Sequence, residues 1–242
     1  MNMQIIVTEN YDEMSKKGAE IIAEQLKAKP NLILGLATGS TPVGMYTELA
    51  TMCKDGELDF SKVSTFNLDE YYPIKNDDEQ SYCTFMKENF FSKINIDIAN
   101  TNIPNGEAAD PHKECEEYEK RLQAAGGVDI QVLGIGQNGH IAFNEPAENL
   151  IGSTHVTDLT ENTIEANSRF FESIDDVPTK ALTMGMASIL SAKKIIMLIS
   201  GASKKAVMKN LLDDYITTNV PATLLKTHPD VVVICDREAY DA

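Results

Sequence analysis

This chain of 242 residues is expected to adopt an α/β fold built on a doubly wound, mainly parallel sheet. Three observations predict it. Short apolar, β-branched runs recur along the chain, most of them continuous rather than alternating, as in strands covered on both faces. Helical patterns lie between those runs, and strands alternating with helices argue for a parallel sheet. Glycine-rich turns follow several of the runs, which is where ligands bind in such sheets.

The elements follow in order. Ile5, Ile6 and Val7 make the first strand. Residues 11–27 place Met14, Gly18, Ile21, Ile22 and Leu26 on one stripe, the mark of an amphipathic helix. Residues 32–36 and 63–66 read as the next two strands, and Asn76 to Gln80 as a solvated, charged loop. Over 110–125, Cys115, Tyr118 and Leu122 share a face, predicting another helix. Residues 130–133 form a buried strand. The segment 153–187 reads as helix-rich, and 178–192 as a helix with Pro178 in its first turn. Residues 195–199 and 231–234 are strands, and 203–215 is a helix capped by Ser203. No internal repeat or linker divides the chain, so 1–242 is expected to be one domain.

Composition narrows the function. Hydrophobic residues make up 43%, enough for a sizeable core. The formal net charge of −16 should repel nucleic acid and anionic lipid. An anionic ligand would therefore need a few basic residues gathered at one site. The four cysteines have no zinc spacing and read as reduced, mostly buried thiols. No run reaches the roughly 20 apolar residues of a membrane span, and the first residues lack the basic start of a signal peptide. A cytoplasmic protein is expected.

Five loops carry the chemistry. Residues 134–146, Gly-Ile-Gly-Gln-Asn-Gly-His-Ile-Ala-Phe-Asn-Glu-Pro, follow a strand. Glycines there let backbone approach a ligand; His140 offers a group of the type that titrates near neutrality, and Glu145 can orient it or share its proton. Residues 35–42, Gly-Leu-Ala-Thr-Gly-Ser-Thr-Pro, open a helix with Ser40 or Thr41 as cap and Pro42 at its first position. Free N–H groups and hydroxyls at such a start cradle an anion. Residues 67–73 put Asp69 and Glu70 at a strand's end, where partial burial would make a carboxylate a better base. Arg169 and Lys204, beside aromatic residues and a glycine turn, meet the requirement for cations. Arg, Lys and helix-start amides together suit a phosphate.

These loops in this order resemble the glucosamine-6-phosphate deaminase family, across essentially the whole chain from Ile33 to Asp236. The most specific matches are 34–42, 65–71, 139–146 and 166–171. The resemblance implies a Rossmann-like α/β/α sandwich and conversion of glucosamine 6-phosphate and water to fructose 6-phosphate and ammonia, in the catabolism of amino sugars such as N-acetylglucosamine. It implies no metal or cofactor. It assigns Asp69 to proton transfer from C2 to C1, His140 to ring opening and Glu145 to the acid that assists it. It places the phosphate on Thr38, Gly39, Ser40, Thr41, Arg169 and Lys204, and it makes 153–187 a mobile helical lid.

The sequence departs from the family in two ways. Asn138 stands where many relatives have Asp; it cannot accept a proton but can orient His140. His155 and Thr157 stand where allosteric members have Arg and Lys, so hyperbolic kinetics are expected. The same loss of regulatory residues favours a monomer. The nearest enzymatic alternative is a sugar-phosphate lactonase of the phosphogluconolactonase type, which would leave Asp69 idle. A non-catalytic sugar-phosphate sensor would have no need of both Asp69 and His140, and no basic DNA-binding segment is present.

Overall fold

The computed structural model describes residues 3–168, 171 and 173–240. It carries β1 (Met3–Thr8), α1 (Tyr11–Ala28), β2 (Ile33–Leu36), α2 (Val43–Lys54), β3 (Ser64–Asn67), β4 (Asp69–Tyr72), α3 (Tyr82–Asn89), β5 (Thr101–Asn102) and α4 (Pro111–Ala124). There follow β6 (Ile130–Leu133), β7 (His155–Asp158), α5 (Glu161–Asn167), β8 (Lys180–Thr183), α6 (Met186–Leu190), β9 (Lys194–Ile199), α7 (Lys205–Leu212), β10 (Val231–Asp236) and α8 (Arg237–Tyr240).

Seven strands form one parallel sheet in the order β1-β10-β9-β6-β2-β3-β5. All six apolar runs of the sequence lie in it; the edge strand β5 was not foreseen. Side chains alternate between the two faces of each strand. Phe66, Leu133, Met197 and Val233 meet α4, α6, α7 and α8 on one face. Leu34, Leu36, Val132, Ile196 and Ile234 meet α1, α2 and α3 on the other. The result is an α/β/α sandwich. Strands β2, β3 and β5 wind one way and β6, β9 and β10 the other, so winding reverses between the neighbours β2 and β6. Ligands bind at such a reversal, beyond the carboxyl ends of the strands.

The segment 153–187 corrects the helical expectation. β7 and β8 join β4 in a separate three-stranded antiparallel sheet, ordered β4-β8-β7. The stretch read as a helix over 178–192 is β8 followed by the short α6. Cross-strand pairing overrides local pattern there, as it often does for short strands.

Both ends of the segment meet at one node. The Ala187 and Ser188 N–H groups donate to the Gly152 carbonyl, and the Met186 N–H to that of Ile151. Gly185 packs so closely on the Gly152 and Ser153 carbonyls that a Cβ there would overlap them. Glu119 of α4 ties the node to the body. Its Oε1 accepts from the Thr154 N–H at 2.7 Å, from the Thr154 hydroxyl at 2.6 Å and from the Ser188 hydroxyl.

Two expected caps are absent. No side chain caps α2 or α7; Pro42 and Lys204 occupy the positions before them. The four cysteines are thiols, two buried and two half-buried. Among the described residues no helix is long and apolar enough to cross a membrane.

Candidate active site

Asp69 opens β4 directly after β3, opposite Thr183 of β8. It is 6% exposed, and among the described residues no hydrogen bond reaches its carboxyl group. Burial pushes this carboxyl up to about 8, and the neighbouring Glu70 charge adds to the shift. Glu70 is fully buried and points the other way along the ladder. It accepts the N–H groups of Tyr71, Tyr82 and Cys83, each at 2.9 Å. Those donors favour its ionised form, yet burial outweighs them and lifts it to about 7. Of the adjacent acids, Glu70 fastens β4 to the start of α3 and Asp69 is left available for proton transfer.

The loop after β6 is folded on itself. The Gly136 N–H donates to the His140 carbonyl at 3.0 Å. The His140 ring lies against Gly136, where any side chain would overlap it. Asn138 Oδ1 accepts the His140 N–H at 3.2 Å, and Asn138 Nδ2 donates to Glu145 Oε2 at 2.7 Å. Glu145 Oε1 accepts from the Thr163 hydroxyl at 2.6 Å and lies 3.3 Å from His140 Nδ1. That last pair is at ion-pair distance, but its geometry falls short of a hydrogen bond. Burial works to raise the Glu145 carboxyl, but His140, Thr163 and Asn138 together outweigh it and hold it at about 2. Glu145 is therefore an anion in the ligand-free protein.

Thr183 joins the two halves. Its hydroxyl accepts the Phe143 N–H at 3.1 Å, while its backbone pairs with Asp69. Asn144 Nδ2 donates to the Met184 carbonyl at 2.8 Å, and the Met184 N–H to that of Leu68 at 2.7 Å. The loop bearing His140 and Glu145 is thus tied to the strand bearing Asp69 across β8. Asn138, His140, Glu145 and Asp69 all lie at the carboxyl end of the parallel sheet.

The predicted phosphate loop lies at the same end. Ser40, Thr41, Val43, Tyr11 and Ser200 line an open cavity of about 460 Å³. The Tyr11 hydroxyl donates to the Ser40 carbonyl at 3.0 Å and accepts the Gly44 N–H at 2.8 Å, bracing the loop. Thr38 and Gly39 continue the loop from β2. Lys204 follows Ser200 by one turn, and its Nζ donates to the Ile135 carbonyl at 2.6 Å, at the start of the His140 loop. Arg169 lies outside the described residues. The sequence reading missed Tyr11, Thr163 and Thr183. Tyr11 had only its place at the start of α1 to mark it, and the two threonines carried no local signal.

Comparison with known proteins places these residues in context. A family model described as glucosamine-6-phosphate isomerases/6-phosphogluconolactonase matches residues 8–234. A glucosamine-6-phosphate deaminase from Halothermothrix orenii is 56% identical over 237 residues, covering 98% of each chain. A solved structure of a monomeric glucosamine-6-phosphate deaminase superposes with a TM-score of 0.96 at 46% identity, again over 98% of each chain. The 6-phosphogluconolactonase from Thermotoga maritima has a TM-score of 0.76 at 22% identity, over 97% of this chain and 99% of that one, a likeness of fold alone.

Proposed function

This chain belongs to the glucosamine-6-phosphate isomerase/6-phosphogluconolactonase family, and from that premise we propose that it is a glucosamine-6-phosphate deaminase. It takes glucosamine 6-phosphate and water to fructose 6-phosphate and ammonia. The observation that carries the reading is the buried, unengaged Asp69 carboxyl, held through Thr183 to the loop that bears His140 and Glu145.

The sugar phosphate docks its anion against Ser40, Thr41 and Lys204, with Arg169 as the further cation. His140 takes the O1 proton of the cyclic hemiacetal and returns one to the ring oxygen. Glu145, ionised and facing Nδ1, favours the tautomer with hydrogen there and leaves Nε2 as the base. In the open chain Asp69 removes the C2 proton and delivers it to C1. The enolamine becomes an imine at C2, which water hydrolyses with loss of ammonia. Each positioned proton transfer typically contributes about 10²–10⁴-fold. The remote phosphate supplies orientation.

Lactone hydrolysis needs no base at C2, so it gives Asp69 no task. The identities to deaminases also far exceed that to the lactonase. The missing regulatory residues at His155 and Thr157 favour a monomer, and the reaction itself places its work in amino-sugar breakdown in the cytoplasm. Ammonium release from glucosamine 6-phosphate, run beside hydrolysis of 6-phosphogluconolactone, tests the assignment. Lactone turnover without ammonium release would overturn it.

A further inference from the structure

Among the described residues, the Thr163 hydroxyl supplies the hydrogen bond by which α5 reaches Glu145. We propose that Thr163 is a positioning residue for ring opening, locking the Glu145 carboxylate toward His140. This rests on the deaminase reading for its kinetic consequence, but not for its structural one.

Four observations support it. Thr163 is buried, so its hydroxyl is shielded from competing water. Its Oγ1 donates to Glu145 Oε1, the oxygen that faces His140 Nδ1. That hydroxyl accepts in turn from the Thr160 hydroxyl at 3.0 Å, and the Thr160 side chain accepts the Thr163 N–H at 3.2 Å, so the rotamer is held at both ends. Asn138 Nδ2 occupies the other carboxylate oxygen, Oε2. With one donor on each oxygen, the plane of the carboxylate is fixed and its charge is stabilised.

Among the described residues, the groups facing Glu145 are His140 and Asn138 from its own loop and Thr163 from α5; of these, His140 alone can carry charge. Thr163 thus supplies from a different part of the chain what the loop cannot supply itself. If α5 shifts, Oε1 loses a donor and the carboxylate is free to rotate away from Nδ1. The negative charge facing Nδ1 would then favour the hydrogen there less strongly, and Nε2 would be a poorer base for the O1 proton. Small displacements of this kind cost catalysis far more than binding.

The test uses Thr163→Val, which keeps the shape, and Thr163→Ser, which restores the hydroxyl. Ammonium release gives kcat and KM. In parallel, the ¹³C carboxyl titration of Glu145 is followed by NMR in the ligand-free protein. A hydrogen bond to a charged group, once lost, should raise that titration by roughly one to two pH units and lower kcat roughly 10- to 100-fold. KM should stay within about threefold, since the interaction lost acts on the chemical step rather than on binding. Recovery of both readouts in Thr163→Ser supports the proposal. An unchanged Glu145 titration in Thr163→Val overturns it. So does a loss shared by both variants with a lowered melting temperature, which would mark a packing role. A Glu145 titration shifted in Thr163→Val, in a protein whose wild type releases no ammonium, would sink the deaminase reading while leaving the Thr163–Glu145 coupling in place.

Discussion

Replacing Asp69 with Asn should change how stability depends on pH in a calculable way. The side chain keeps its shape but cannot ionise. In the folded protein Asp69 holds its proton up to about pH 8, whereas in the unfolded chain an aspartate gives it up near about pH 3.9. Between those values the folded state binds more protons than the unfolded one, so raising the pH destabilises the wild type. One pH unit in that window corresponds to about 1.4 kcal/mol. From pH 5 to pH 7 the wild type should therefore lose about 2.7 kcal/mol that Asp69→Asn retains. The raised Glu70 contributes similarly to both proteins and largely cancels in the difference. Urea unfolding of both proteins at pH 5, 6 and 7 reads the effect. The informative quantity is the slope of the difference, because any fixed packing cost of Asn only offsets it. Parallel stabilities across the range would show that Asp69 is ionised when folded, so that burial does not hold its proton. The same proton sets the activity: a base must be ionised to act, so wild-type kcat/KM should climb with pH and level off near about 8.

Further substitutions probe the remaining parts. Gly136→Ala would push a methyl group into the His140 ring, and kcat should fall roughly 100-fold while the fold persists; near-normal kcat would show that the ring has room to move. Asn138→Asp removes the donor to Glu145 Oε2 and sets a second carboxylate against it. Turnover should drop roughly 10- to 100-fold at neutral pH, and a strong rise instead would mean that the relay wants an ionisable group there. Lys204→Ala should raise KM roughly tenfold or more with kcat little changed, as expected for loss of a charge-assisted contact to an anion; an unaltered KM would remove Lys204 from the phosphate site.

The apolar runs made the long strands legible. Fully buried strands such as β9 and β10 have no solvent side, so their sequences are nearly pure Ile, Val, Leu and Met. β7 and β8 escaped because each carries charged or polar residues, His-Val-Thr-Asp and Lys-Ala-Leu-Thr, and their partners lie far away in sequence. β4 reads as loop for the same reason: Asp69 and Glu70 look solvated until β8 covers them. The site was legible where function had imposed unusual composition, at the glycines, His140 and paired acids. It was not legible at Thr163 and Thr183, whose roles depend on which oxygen their hydroxyls meet after folding.

The node at Glu119 gives the chain an unusual kind of severability. The polypeptide departs at Gly152 and comes back at Gly185, and those two points touch. A short splice across that gap would excise the excursion between them while leaving every strand of the seven-stranded sheet intact. What remained would keep the turn after β2 but deprive Asp69 of its neighbour across the ladder. Grafting different excursions onto the same junction is thus a physically cheap way to give one scaffold new reaction chemistry, since loop closure across touching ends adds little entropy cost.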